Sequence, residues 1–107
     1  MLELPAGKLE KGSTPLENGK RELLEETGAV GYSYISLGQV YPSPGYTDEI
    51  IHIFFAENST RSEQKLDEGE FLNAEFLPLD DVVSMIESGE ICDAKTVAAI
   101  YKYLSLK

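Results

Sequence analysis

Residues Thr14 to Gly28 carry both ends of a helix in their own side chains, and no other stretch constrains the fold of this chain as much. Thr14 is an N-cap candidate, Pro15 suits the first helical position, where no N–H is needed, and Glu17 completes a capping box with Thr14. Leu16, Leu23, Leu24 and Thr27 make a mostly apolar stripe, and Gly28 can enter the left-handed conformation without steric cost. The spacing predicts a helix of about fourteen residues. Within it Glu22, Glu25 and Glu26 stand at i, i+3 and i+4, so their Cβ atoms are neighbours roughly 5–6 Å apart. Like charges at those spacings cost an isolated helix roughly 0.2–0.5 kcal/mol per pair, and a hard cation such as Mg²⁺ or Mn²⁺ would reverse the sign. Acid-rich helix faces are commonly only solvated, so the run takes its meaning from what precedes it.

Upstream, Leu4-Pro5-Ala6-Gly7-Lys8-Leu9-Glu10-Lys11-Gly12-Ser13 reads as a short strand and a glycine-punctuated loop leading to the Thr14 cap. With that spacing the chain resembles the Nudix hydrolases. Their signature runs from a glycine through a glutamate to Arg-Glu-apolar-x-Glu-Glu-x-Gly-apolar. Gly7, Arg21, Glu22, Leu23, Glu25, Glu26, Gly28 and Ala29 match eight of its nine specified positions, and Ser13 stands where the first glutamate belongs. The resemblance implies that Glu22 and Glu26 are the main metal ligands, with Glu25 assisting and the carbonyl of Ala6 contributing. It also implies that the missing glutamate would have paired with Arg21, so that Ser13 leaves Arg21 without that partner and lowers activity or loosens metal binding. Ser13→Glu should then raise turnover or metal affinity.

Pro44, in Tyr41-Pro42-Ser43-Pro44-Gly45-Tyr46, stands where the ADP-ribose pyrophosphatase branch carries a proline. Ser-Pro-Gly is equally a plain turn. Tyr46 either lines a nucleotide pocket or packs on the core. Asp67-Glu68-Gly69-Glu70 is a second acidic cluster, either solvated or, by the resemblance, the Glu-x-Glu pair that supplies a further metal ligand, Glu70, and a general base, Glu68 or Glu70. The reaction implied is metal-dependent hydrolysis of a nucleoside diphosphate linked to another moiety, with ADP-ribose giving AMP and ribose 5-phosphate. The alternative is a catalytically impaired module that binds a nucleotide or partner, which Ser13 and the short N-terminus make plausible. The five glutamates Glu22, Glu25, Glu26, Glu68 and Glu70 favour the enzyme.

Nineteen acidic against nine basic residues, a formal net charge of −10, argue against nucleic-acid and anionic-membrane binding. One cysteine, Cys92, excludes an internal disulfide, suits a cytoplasmic location and is expected to be a small buried hydrophobe. No apolar run is long enough to span a bilayer, and Met1–Leu4 lack the plan of a signal peptide.

The pattern predicts an α/β fold in a single domain, residues 1–107; the resemblance makes it an α/β/α sandwich with a mixed sheet lacking the family's usual N-terminal strands. Strands are expected near 2–5, 33–41, 49–56 and 71–77, the third buried, with a charged loop at 57–70. Asp80 or Asp81 should cap a helix stopped near Gly89, and Asp93 should cap a last helix. His52, between isoleucines, reads as a packed strand residue rather than a ligand. Without the family's front strands the sheet would expose an edge, which invites a homodimer or another partner.

Overall fold

The computed structural model describes residues 2–58, 60–61 and 74–106. The elements are α1 (Pro15–Thr27), β1 (Ala29–Val30), β2 (Ser33–Val40), β3 (Ile51–Glu57), β4 (Thr60–Arg61), α2 (Leu79–Ser88) and α3 (Ala94–Leu104). Among the described residues the strands form two two-stranded sheets, β1 with β4 and β2 with β3. In the first, the strands run antiparallel with Ala29 opposite Arg61 and Val30 opposite Thr60. The fold class is α/β, as the alternation of helical and strand patterns implies. By its contacts the chain forms two compact units, one of Pro5–Ile35 with Ala56–Phe76, the other of Met1–Leu4, Ser36–Phe55 and Leu77–Lys107.

The first unit is organised around α1. Thr27, Gly28 and Ala29 are buried at the helix exit, Thr27 7% and Ala29 2% exposed. The Thr27 hydroxyl donates to the Leu23 carbonyl at 2.6 Å and accepts from the Ala29 N–H at 3.1 Å, so one side chain carries the chain from helix into β1. Tyr32 N–H donates to the Glu57 carbonyl at 3.1 Å, and Ser33 Oγ lies 3.1 Å from Glu57 Oε1, tying the start of β2 to the end of β3.

The second unit has its small core at Ile53, Ile91, Thr96 and Ala99. Asp93 caps α3 as expected: its carboxylate accepts from the Thr96 N–H at 3.1 Å and from the Thr96 hydroxyl at 2.7 Å. Phe55 and Tyr103 pack with ring centroids 4.7 Å apart and planes tilted by 54°.

Several expectations from sequence give way here. Residues 2–5 are not a strand; the Leu4 N–H donates to the Thr96 hydroxyl at 3.0 Å instead of to a ladder, and Pro5 has no N–H to give. Ala74–Leu77 are likewise not strand, and 71–73 lie outside the described residues, as does most of the 57–70 loop. Neither Asp80 nor Asp81 caps α2. Pro78 holds the N-cap position with no side-chain bond, its carbonyl taking the N–H groups of Asp81 and Val82 at 3.1 Å each, while the two aspartates sit in the first turn, where the helix dipole favours them. The third strand is only partly buried: Ile53 is its one buried residue, His52 is exposed and the other five residues are intermediate. Cys92 is exposed rather than buried, since the adjacent Ile91 takes the core position and binds the Met85 carbonyl through its N–H at 3.0 Å.

Candidate active site

The helix that carries the acids is fixed at both ends by its own sequence. Thr14 Oγ1 accepts from the Glu17 N–H and Glu17 Oε1 from the Thr14 N–H, both at 3.1 Å, and Gly28 closes the helix at φ 75° with its N–H on the Leu24 carbonyl at 2.8 Å. The reciprocal cap holds the Glu17 carboxyl below its ordinary value, the Thr14 backbone hydrogen bond being the main cause.

From that platform Arg21 reaches in three directions. Nη1 lies 2.9 Å from Glu10 Oε2, Nη2 lies 3.2 Å from Glu22 Oε1 and Nε lies 3.7 Å from Glu25 Oε1. Nη2 also donates to Asn18 Oδ1 at 2.7 Å, and the same oxygen accepts from the Glu10 N–H at 3.3 Å. The guanidinium is held above its ordinary pKa first by the Glu22 hydrogen bond, with the charges of Glu10, Glu22 and Glu25 outweighing a desolvation effect of opposite sign. Ser13 leaves Arg21 without a glutamate at position 13, and Glu10 supplies a carboxylate to it instead. A turn brings it there, with the Ser13 N–H on the Glu10 carbonyl at 3.1 Å and Gly12 at φ 88°.

Glu22 and Glu26 turn toward one piece of backbone, the loop at Ala6 and Gly7. Glu26 Oε2 accepts from the Ala6 N–H at 3.1 Å. Gly7 lies so close to Glu22 that a Cβ there would collide with the Glu22 carboxyl carbon and one of its oxygens. Only glycine admits the acid at this point. Among the described residues no three His, Cys, Asp or Glu side chains are gathered as a cation cage. The acid patch expected on the helix is real in position, but Glu22 and Glu25 face the Arg21 guanidinium and Glu26 faces a loop amide. An all-oxygen set beside a glycine cradle still suits a hard divalent ion, which takes carboxylates and backbone carbonyls.

Pro44 and Tyr46 lie in the other unit, in a turn where the Tyr46 and Thr47 N–H groups both donate to the Ser43 carbonyl at 2.9 Å. With Tyr41, Gly45, Thr47 and Asp48 they line an open depression of about 520 Å³. Tyr46 is 95% exposed, which removes the reading of it as a core residue. Glu68 and Glu70 lie outside the described residues. Asn18 and Glu10 were not singled out from sequence. Asn18, 5% exposed inside a helix that disfavours it, was detectable as a polar misfit three residues before Arg21.

A family model described as the NUDIX domain matches residues 1–100. The chain belongs to the Nudix family. It is 46% identical to an ADP-ribose pyrophosphatase of Bacillus subtilis (strain 168) over all of this chain and 58% of that protein. It is 42% identical to a methanol dehydrogenase activator of Bacillus methanolicus, again over all of this chain and 58% of the relative. A GDP-mannose pyrophosphatase of Yersinia enterocolitica is 39% identical over 91% of this chain and 52% of its own length. The chain thus spans little more than half of each relative. Within the Nudix signature, the departure at Ser13 sits at one end of the turn whose other end carries Glu10.

Proposed function

We propose that this Nudix chain hydrolyses the pyrophosphate bond of a nucleoside diphosphate joined to a sugar, with ADP-ribose as substrate and AMP and ribose 5-phosphate as products. The observation that carries the reading is the convergence of Glu22 and Glu26 on the Ala6–Gly7 loop, with Arg21 alongside. Glu22, Glu26 and the Ala6 carbonyl would hold Mg²⁺ or Mn²⁺, with Glu25 and Glu70 assisting. When bound, such an ion neutralises phosphate oxygens and makes water more acidic. The chain's formal charge of −10 would otherwise repel a polyanion.

The residues then have separate tasks. Arg21, 3.2 Å from Glu22 and 3.7 Å from Glu25, offsets the repulsion between the two acids. Glu68 or Glu70 accepts the proton of the attacking water, whose oxygen bonds to one phosphorus in line as the bond from that phosphorus to the bridging oxygen breaks and the other phosphate leaves carrying the bridging oxygen. Pro44 and Tyr46 shape a surface on which a base can stack. A cytoplasmic location and assembly as a homodimer complete the proposal, supported by the single cysteine and by the sheets among the described residues, which have two strands each and so leave edges to cover. Intact pairing at Arg21 argues against the impaired-module alternative.

The purified chain, assayed with Mg²⁺ against ADP-ribose, GDP-mannose, NADH and dinucleoside polyphosphates, should release AMP fastest from ADP-ribose. EDTA should abolish that release. Faster GMP release from GDP-mannose would overturn the substrate, and turnover surviving thorough metal removal would overturn the mechanism.

A further inference from the structure

We infer that Glu10 is the positioning residue for Arg21 in this chain, doing from the first position of a turn what a glutamate at position 13 would do from its last. The inference rests on the proposed metal-dependent reaction for its consequence, and on the turn and the Arg21 contacts for its geometry. Residues 10 and 13 are joined by the Ser13 N–H to Glu10 carbonyl bond, and Gly12 at φ 88° permits the reversal, so the two side chains leave the loop as neighbours. From there Glu10 Oε2 meets Arg21 Nη1 at 2.9 Å, and Asn18 Oδ1 ties the Glu10 amide to Arg21 Nη2.

This placement matters because Arg21 is the cation already among the acids. Its Nη2 and Nε face Glu22 and Glu25, two of the carboxylates a divalent ion would need. Glu10 draws the guanidinium toward the loop and offsets its charge, which leaves Glu22 aimed at Gly7. Without Glu10, the free Nη1 would turn on Glu22 and Glu25 and compete with the metal. Glu10 already holds Nη1 at 2.9 Å, so a new glutamate at position 13 only adds a second carboxylate to an end of the guanidinium that has one. Glu10 is 65% exposed on its side chain, and replacing it leaves the core untouched.

The test uses Glu10→Ala, Ser13→Glu and the double variant, with two readouts. Mn²⁺ affinity by EPR should weaken by about tenfold in Glu10→Ala, the low end for loss of a residue that orients a metal ligand. It should be within about twofold of wild type in Ser13→Glu and recover most of the loss in the double variant. The guanidinium ¹H–¹⁵N resonances of Arg21, recorded without metal, should move in Glu10→Ala and return in the double variant. Unmoved Arg21 resonances in Glu10→Ala, or no recovery in the double variant, would overturn the inference. Wild-type protein that binds no Mn²⁺ would instead remove the proposed reaction, and the Arg21 resonances would still decide the pairing.

Discussion

Replacing Gly7 with alanine separates metal binding from folding more cleanly than removing an acid does. A Cβ at Gly7 would fall 2.7 Å from Glu22 Cγ and closer still to its carboxyl group. Because the obstructed group is the end of a flexible side chain, Glu22 can swing aside, and the penalty is that of a distorted rotamer, about 0.5–1.5 kcal/mol. For a domain of this size that lowers Tm by about 4–8 °C per kcal/mol. Metal affinity should suffer far more. Loss of an outer partner of a ligand costs about 10–100-fold, so a displaced ligand carboxylate should cost at least about 100-fold. Gly89→Ala is the control: Gly89 closes α2 at φ 88° with open space around it, and a Cβ in that conformation costs about 1–2 kcal/mol. Thermal melts with Mn²⁺ titration of both variants should show similar Tm losses and a large affinity loss in Gly7→Ala alone. Equal Mn²⁺ affinity in the two variants would refute the placement of Glu22 as a ligand beside Gly7.

Two further outcomes follow from the second unit. Asp93→Ala removes the cap of α3 and should cost about 1 kcal/mol, read as a lower denaturation midpoint. Burial pushes the Asp93 carboxyl up, but the Thr96 and Lys95 hydrogen bonds outweigh it and hold the group below its ordinary value. Its stabilisation is therefore complete above that value and lost as pH falls through the lower folded value, and acid melts of the alanine variant should lack this component. Tyr46→Ala should leave Tm unchanged, because the side chain is 95% exposed. If the ring stacks on the substrate base, KM should rise by about 5- to 150-fold, since such stacking is worth about 1–3 kcal/mol; an unchanged KM would remove Tyr46 from the substrate surface.

The features read correctly from sequence are those whose partners lie within one helical turn. The Thr14–Glu17 capping box, the Gly28 stop, the Gly89 stop and the Asp93 cap each join groups three or four residues apart or set the dihedrals of one residue. Glu22, Glu25 and Glu26 share a face for the same reason. The failures involve partners brought from farther away. Leu4 met a threonine side chain instead of a strand, Cys92 yielded the interior to Ile91, and His52 is exposed beside the buried Ile53.

The sequence by itself determined that an acid-bearing helix starts at Thr14, ends at Gly28 and belongs to a Nudix domain, because local hydrogen bonds and a fixed motif spacing need no long-range contact to be legible. Only the tertiary structure decided which charges meet. The Gly12 turn sets Glu10 against Arg21, and the loop before it sets Gly7 against Glu22 and Ala6 against Glu26. Side-chain reach extends across such turns to any group the backbone delivers, so pairing depends on loop path and not on the identity of residue 13 alone.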